Sequence, residues 1–178
     1  MRAPISVVIP TLEAAEDLPG ALEALVEGLE HGLNRELIVS DGLSRDATLA
    51  IADAAGARSV TGAAGRGAQI ARGAEAARGT WILILHADSW LSPGWSRVVL
   101  DHMDHHPDRA GYFRLSFRAT GVLPAFVAGW ANARSRWFGL PYGDQGLLVP
   151  RVLLDAIGGV PELPLMEDVA LARALAGR

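Results

Sequence analysis

The sequence predicts an α/β domain built on a doubly wound, mostly parallel sheet with helices on both faces. Three observations predict it. Short apolar runs alternate along the chain with segments of helical period, the pattern of βαβ units. One run, Trp81-Ile82-Leu83-Ile84-Leu85, is apolar at every position, as a strand buried on both faces must be. Three of the first four strands so predicted, at Ile5, Glu36 and Trp81, end in polar side chains, where open α/β sheets collect their ligands.

Taken in order, Ile5-Ser6-Val7-Val8-Ile9 reads as the first buried strand, closed by Pro10-Thr11. A helix follows with Asp17 as N-cap; Leu18, Leu22, Leu25 and Leu29 fall at helical spacing, and Gly32 is the expected stop. Glu36 to Ser40 is the second strand and runs into Asp41-Gly42. Ser44 to Thr48 lead into a short alanine-rich helix that Gly56 ends, and a weak strand spans Arg58 to Thr61. The glycine-rich turn Gly62 to Gly67 opens another helix, through Ala77, and the central strand follows, ending at His86-Ala87-Asp88. Ser92-Pro93, a capping serine followed by proline at the first helical position, predicts a helix closed by Pro107. Tyr112 to Arg118 alternates, with Phe113, Leu115 and Phe117 opposite Arg114, Ser116 and Arg118, as a half-exposed strand near a sheet edge does. Leu123 to Phe138 reads as a helix, Gly146 to Val149 as a last short strand, Arg151 to Ile157 as a helix broken by Gly158-Gly159, and Glu167 to Leu175 as the final helix.

At 178 residues the chain is read as one domain with a substantial core, and it shows no repeats or low-complexity linker. A net charge of −4 provides no basic field for nucleic acid. The absence of cysteine removes disulfides and thiolate metal sites and is compatible with the cytoplasm. No stretch reaches the roughly 20 apolar residues of a membrane span. The first strand begins almost at once after Met1, which leaves no room for a signal peptide. No Gly-x-Gly-x-x-Gly follows the first strand and no lysine lies near a glycine loop, which argues against a dinucleotide dehydrogenase and a Walker-type site.

The chemistry gathers at the strand ends. His86 and Asp88, two residues apart on an extended chain, point to the same side and suit a divalent cation or a proton transfer. Thr11 and Glu13 follow the first strand and Asp41 the second, where a carboxylate can accept hydrogen bonds from a base or ribose. Ser44 and Asp46 by themselves are helix-capping residues. Gly65-Arg66-Gly67 would set helix N-terminal amides and a guanidinium beside a diphosphate. Trp130, Trp137 and Phe138 with Arg134 and Arg136 form either a core face or a surface for peripheral membrane contact. His102, His105 and His106 read as residues capping a helix end.

Ile5-Ser6-Val7-Val8-Ile9-Pro10-Thr11-Leu12-Glu13, Asp41-Gly42-x-Ser44-x-Asp46-x-Thr48, Gly65-Arg66-Gly67, His86-Ala87-Asp88 and Met166-Glu167-Asp168 occur in that order from Ile5 to the final helix. As an ordered set they resemble the family-two nucleotide-sugar glycosyltransferases of GT-A fold. Such enzymes move a sugar from a nucleoside diphosphate sugar to an acceptor hydroxyl, usually with inversion and with Mg²⁺ or Mn²⁺. The resemblance implies that Pro10, Thr11, Glu13 and Ala87 contact the nucleotide, Asp41 reads the base and Arg66 lies near the diphosphate. It implies that Asp88 and His86 hold the metal, at the place of the family's Asp-x-Asp; bacterial members with His-Ala-Asp are similar here. An imidazole in place of a carboxylate removes a charge and suits Mn²⁺ better than Mg²⁺. Asp168 matches the general base, with Glu167 beside it, and Asp144 and Gln145 fall in the acceptor-facing part.

The reading is therefore one GT-A domain over 1–178, with a nucleotide half of about 1–89 and an acceptor half of about 90–178. Family members usually continue past the position of Arg178, so the expectation is either a further C-terminal segment missing here or a compact domain. The expected partners are a nucleoside diphosphate sugar, with UDP the commonest nucleotide among relatives, and an acceptor that is a saccharide, a lipid-linked sugar or a small molecule. The expected location is the cytoplasm or the inner face of the membrane. A nucleotidyltransferase, attacking phosphorus, and a non-catalytic nucleotide-sugar-binding module are the alternatives.

Overall fold

A computed structural model describes residues 3–114, 146–161 and 167–176. Its elements are β1 (Ile5–Thr11), α1 (Leu18–Glu30), β2 (Asn34–Asp41), α2 (Thr48–Ala54), β3 (Arg58–Thr61), α3 (Arg66–Ala76), β4 (Trp81–Ile84), α4 (Trp95–His105), β5 (Gly111–Tyr112), β6 (Leu147–Pro150), α5 (Arg151–Ala156) and α6 (Glu167–Ala176). The sheet runs β3-β2-β1-β4-β6-β5. The first four strands are mutually parallel, whereas β6 lies antiparallel between β4 and β5. The chain thus winds outward from β1 to β3 and then returns to lay β4 on the other side of β1. That reversal opens a crevice beyond the carboxyl ends of β1 and β4.

Strand alternation sorts the core. Ile5, Val7 and Ile9 of β1 join Leu83 and Leu85 on one face, where Leu18 and Leu25 of α1 and Trp95 and Val99 of α4 cover them. Val8, Ile38, Ile82 and Ile84 point to the other face, under Ile70, Ala71 and Ala74 of α3 and Leu171 of α6. Each fully buried Ile or Leu contributes about 1.5–3 kcal/mol, so the doubly covered β1 and β4 give the loops that leave them a firm base. Helix α3 lies close enough to the sheet that a Cβ on Gly73 would stand 2.4 Å from Val8 Cγ1, which excludes any larger residue without a shift of the helix.

The helix boundaries depart from expectation in instructive ways. On α1 the buried face is Leu18, Ala21, Leu25 and Gly28, and Leu29 is 66 % exposed. The reason is α4: the Trp95 ring takes the space beside Gly28, and its Nε1 donates to Ala24 O at 2.9 Å. Asp17 makes no side-chain capping bond, its backbone being already helical at φ −92° and ψ −37°. Helix α4 starts at Trp95 and not at Ser92-Pro93. The amides at its start are met from another helix, since Glu27 of α1 accepts from Gly94 N at 2.8 Å and from Ser96 N at 2.9 Å. The Ser96 hydroxyl, with these amides, holds the Glu27 carboxyl below its usual range.

Strand β5 does occupy a sheet edge, as the alternation from Tyr112 predicts. The rest of that run, Leu115 to Arg118, and the Leu123–Phe138 helix with its tryptophans and arginines lie outside the described residues. At the end of α4, His105 and His106 are exposed, and His105 Nδ1 lies 2.8 Å from Asp101 O. His102 is half-buried, 3.0 Å from Arg109 O, with its ring edge-on to Trp81. Among the described residues no helix is long and apolar enough to cross a membrane.

Candidate active site

A cleft of about 400 Å³ opens at the crevice between β1 and β4. The end of β1 and the turn after it supply Pro10, Thr11 and Glu13, the start of α3 supplies Gly65 and Arg66, and the turn after β4 supplies His86, Ala87 and Asp88. Leu12, Ala14, Asp17 and Gln69 complete the lining; the sequence reads Asp17 only as a helix cap and assigns Ala14 and Gln69 nothing. Asp88 and Arg66 are exposed to solvent there, and His86 is half-buried. Arg66 is held at the mouth by Gly65, whose φ of 150° turns the chain into α3.

The Asp41-Gly42-x-Ser44-x-Asp46-x-Thr48 stretch proves to be a clasp. Three successive amides of the turn after β1 donate into it: Glu13 N to Ser44 Oγ at 2.8 Å, Ala14 N to Thr48 Oγ1 at 2.8 Å and Ala15 N to Asp46 Oδ2 at 3.0 Å. Glu13 returns a bond, its Oε1 accepting from Arg45 N at 2.8 Å. The N-cap position of α2 is Ala47, without a side-chain cap, and Asp46 accepts from Thr48 N at 2.9 Å; Ser44 and Asp46 instead pin the turn after β1 to the turn after β2. Two residues without glycine's freedom, Glu13 (φ 50°) and Leu43 (φ 71°), are kept in the left-handed region within these two turns. That conformation costs about 1–3 kcal/mol each, which the cross-bonds must offset.

Asp41 lies behind this wall. It is fully buried and is not part of the cleft's lining; its Oδ1 accepts from Thr11 Oγ1 at 2.9 Å and Ser44 Oγ at 2.6 Å, and its Oδ2 from Ser44 N at 2.8 Å. Oδ2 keeps acceptor capacity, so direct contact with a base requires the residues that cover Asp41 to move.

The Thr48 hydroxyl, above all, holds the Asp46 carboxyl below the usual aspartate value, and the Thr48 and Ala15 amides add to the effect. The unfolded chain consequently binds more protons than the folded one between the folded and the ordinary carboxyl pKa. The contribution of Asp46 is fully present above the unfolded value and is lost as pH falls through the folded one. We expect the difference in melting temperature between the wild type and Asp46→Asn to be constant near neutral pH and to shrink in acid below the usual carboxylate range. A difference that is flat down to acid unfolding would show that the charge of Asp46 does not hold the clasp.

His86 and Asp88 bring an imidazole and a carboxylate to the lining of the cleft. Among the described residues no group of three or more His, Cys, Asp or Glu side chains stands ready to hold a metal. The donor pair fits a cation that takes its remaining ligands from a bound diphosphate and water, and the mixed N/O set suits Mn²⁺. Asp144 and Gln145 lie outside the described residues, and Glu167 and Asp168 are described as the first residues of α6 without their side chains.

A family model described as "Glycosyl transferase family 2" matches residues 6–118. Comparison with curated protein sequences gives no match. Among solved structures, S. aureus TarS is 18 % identical with a TM-score of 0.74, the match covering 97 % of this chain and 33 % of TarS. TarS 1-349 in complex with UDP-GlcNAc is 18 % identical with a TM-score of 0.72, over 97 % of this chain and 53 % of that one. Glucosyl-3-phosphoglycerate synthase from Mycobacterium tuberculosis, in complex with Mn²⁺, UDP and glucosyl-3-phosphoglycerate, is 21 % identical with a TM-score of 0.67, over 94 % and 63 %. The chain spans between a third and under two thirds of the length of these proteins. At such identities the likeness is one of fold, and that fold is GT-A.

Proposed function

The chain belongs to glycosyl transferase family 2, and from that premise we propose that it moves a sugar from a nucleoside diphosphate sugar to an acceptor hydroxyl, with inversion at the anomeric carbon. One observation carries the reading: the crevice at the strand-order reversal gathers Thr11, Glu13, Arg66, His86 and Asp88 around a single cleft. In this reading Pro10, Thr11, Glu13 and Ala87 hold the nucleotide, and Asp41 meets the base once the residues covering it move. Arg66 and the amides that open α3 lie against the diphosphate. Uridine is the favoured base, in keeping with the UDP and UDP-GlcNAc of the similar structures.

Transfer is a single displacement. The acceptor oxygen forms a bond to the anomeric carbon as the bond from that carbon to the diphosphate oxygen breaks. The acceptor proton passes to the Asp168 carboxylate, and Glu167, Asp144 and Gln145 bind acceptor hydroxyls. The charge that grows on the leaving diphosphate is met by the Arg66 guanidinium. A divalent cation, held by Asp88 and His86 together with the donor's phosphate oxygens, would supply further positive charge there. The one-domain organisation, with the nucleotide half before about residue 90 and the acceptor half after it, and a cytoplasmic setting belong to the same reading.

Calorimetry of UDP binding with and without Mn²⁺ tests it. We expect binding that depends on the metal. Equal binding without metal would favour a binding module, and a marked preference for a nucleoside triphosphate would favour nucleotidyl transfer.

A further inference from the structure

Gln69 has no part in the scheme above, yet it joins three of the segments that shape the cleft. Its side chain is only 4 % exposed although it reaches the lining. Nε2 donates to Thr11 O at 2.6 Å and to Ser40 O at 3.1 Å, at the ends of β1 and β2. Oε1 accepts from Gly65 N at 3.1 Å, and the Gln69 amide donates to Gly65 O at 2.8 Å, so Gly65 is gripped through both its backbone groups. The orientation of the amide is settled by these partners, because the reverse assignment would press its oxygen against two carbonyls.

Packing alone does not explain a glutamine here. Gln69 belongs to neither apolar cluster, and Ile70, Ala71 and Ala74 already seat α3 on the sheet. A methionine would fill the same volume without leaving a buried amide to satisfy. What methionine cannot do is fix the distance between the end of β1 and the turn that carries Arg66.

We propose that Gln69 is a positioning residue for the donor: by tying Thr11 and Ser40 to Gly65 it sets Thr11 on one wall of the cleft and Arg66 on the other at the spacing a nucleoside diphosphate requires. The inference rests on the proposed function for the identity of the ligand, but not for the tie itself.

The test uses Gln69→Glu and Gln69→Met, with UDP and Mn²⁺ as the probe and the wild type measured at every pH. Gln69→Met, which removes all three side-chain hydrogen bonds, is expected to weaken UDP binding by about tenfold at all pH values. Gln69→Glu is expected to be as weak at neutral pH, where a carboxylate faces the carbonyls of Thr11 and Ser40. It should recover toward the wild type as pH falls and the carboxyl regains a proton to donate. Amide hydrogen exchange supplies a readout that needs no nucleotide: Gly65 N–H should lose protection in Gln69→Met. Unchanged Gly65 exchange, or a Gln69→Glu defect that does not recover in acid, would overturn the proposal. Failure of the wild type to bind UDP while Gly65 exchange still responds would uphold the tie and remove the glycosyl-transfer reading instead.

Discussion

Asparagine at position 168 is expected to slow glycosyl transfer by about 10²–10⁴-fold, the usual worth of a positioned general base, while leaving UDP affinity within a few-fold of the wild type. An acceptor hydroxyl is a weak nucleophile until its proton is accepted as the new bond forms. Asparagine keeps the shape of aspartate but cannot take that proton. Because the acceptor, and not the donor, surrenders it, the loss belongs in kcat measured at saturating donor and not in donor binding. Single-turnover transfer with a radiolabelled nucleotide sugar, set beside calorimetry of UDP, separates the two. If donor binding falls along with transfer, the residue is part of the nucleotide site and the base lies elsewhere.

The second large effect is expected at Asp88. Asparagine there should abolish the Mn²⁺ dependence of UDP binding and reduce transfer by on the order of 10²–10³-fold, since a metal at a leaving diphosphate supplies several kcal/mol of charge stabilisation. Asp88 is exposed in the cleft and shares its lining with His86. Removing its charge leaves a neutral imidazole and a neutral amide, too weak a pair to recruit a hard cation. Manganese titration by electron paramagnetic resonance, in the presence of UDP, reads the cation directly. Retention of tight, metal-dependent UDP binding by Asp88→Asn would move the metal off this residue.

These two aspartates also differ in how they can be reached by argument. Asp88 is legible because the Trp81–Leu85 run stops at it: a strand buried on both faces has to release its polar residues at its end, and the structure sets that end in the crevice beside β1. Thr11 and Glu13 are found the same way, and Arg66 from the glycine-rich turn that opens α3; all three meet Asp88 in one cleft. Asp41 follows the same rule in sequence yet faces inward, toward Thr11 and Ser44, since nothing local distinguishes a strand-end carboxylate that looks at solvent from one that braces a neighbouring turn. Ser44 and Asp46 look like capping residues because capping is what such side chains do within their own segment; their bonds and that of Thr48 to residues 13–15 span more than 30 positions.

The amino-acid sequence alone therefore determined the βαβ alternation, the central strand, and the strand ends from which the cleft's chemistry is drawn. Each of these follows from hydrophobic periodicity and turn chemistry within a dozen residues. Folding in three dimensions settled the antiparallel entry of β6 between β4 and β5, the service of Glu27 as cap for α4, the inward turn of Asp41 and the grip of Gln69 on Gly65. Their common cause is that a hydrogen bond or a ring contact between distant segments depends on where the packed core brings them. No local pattern carries that information.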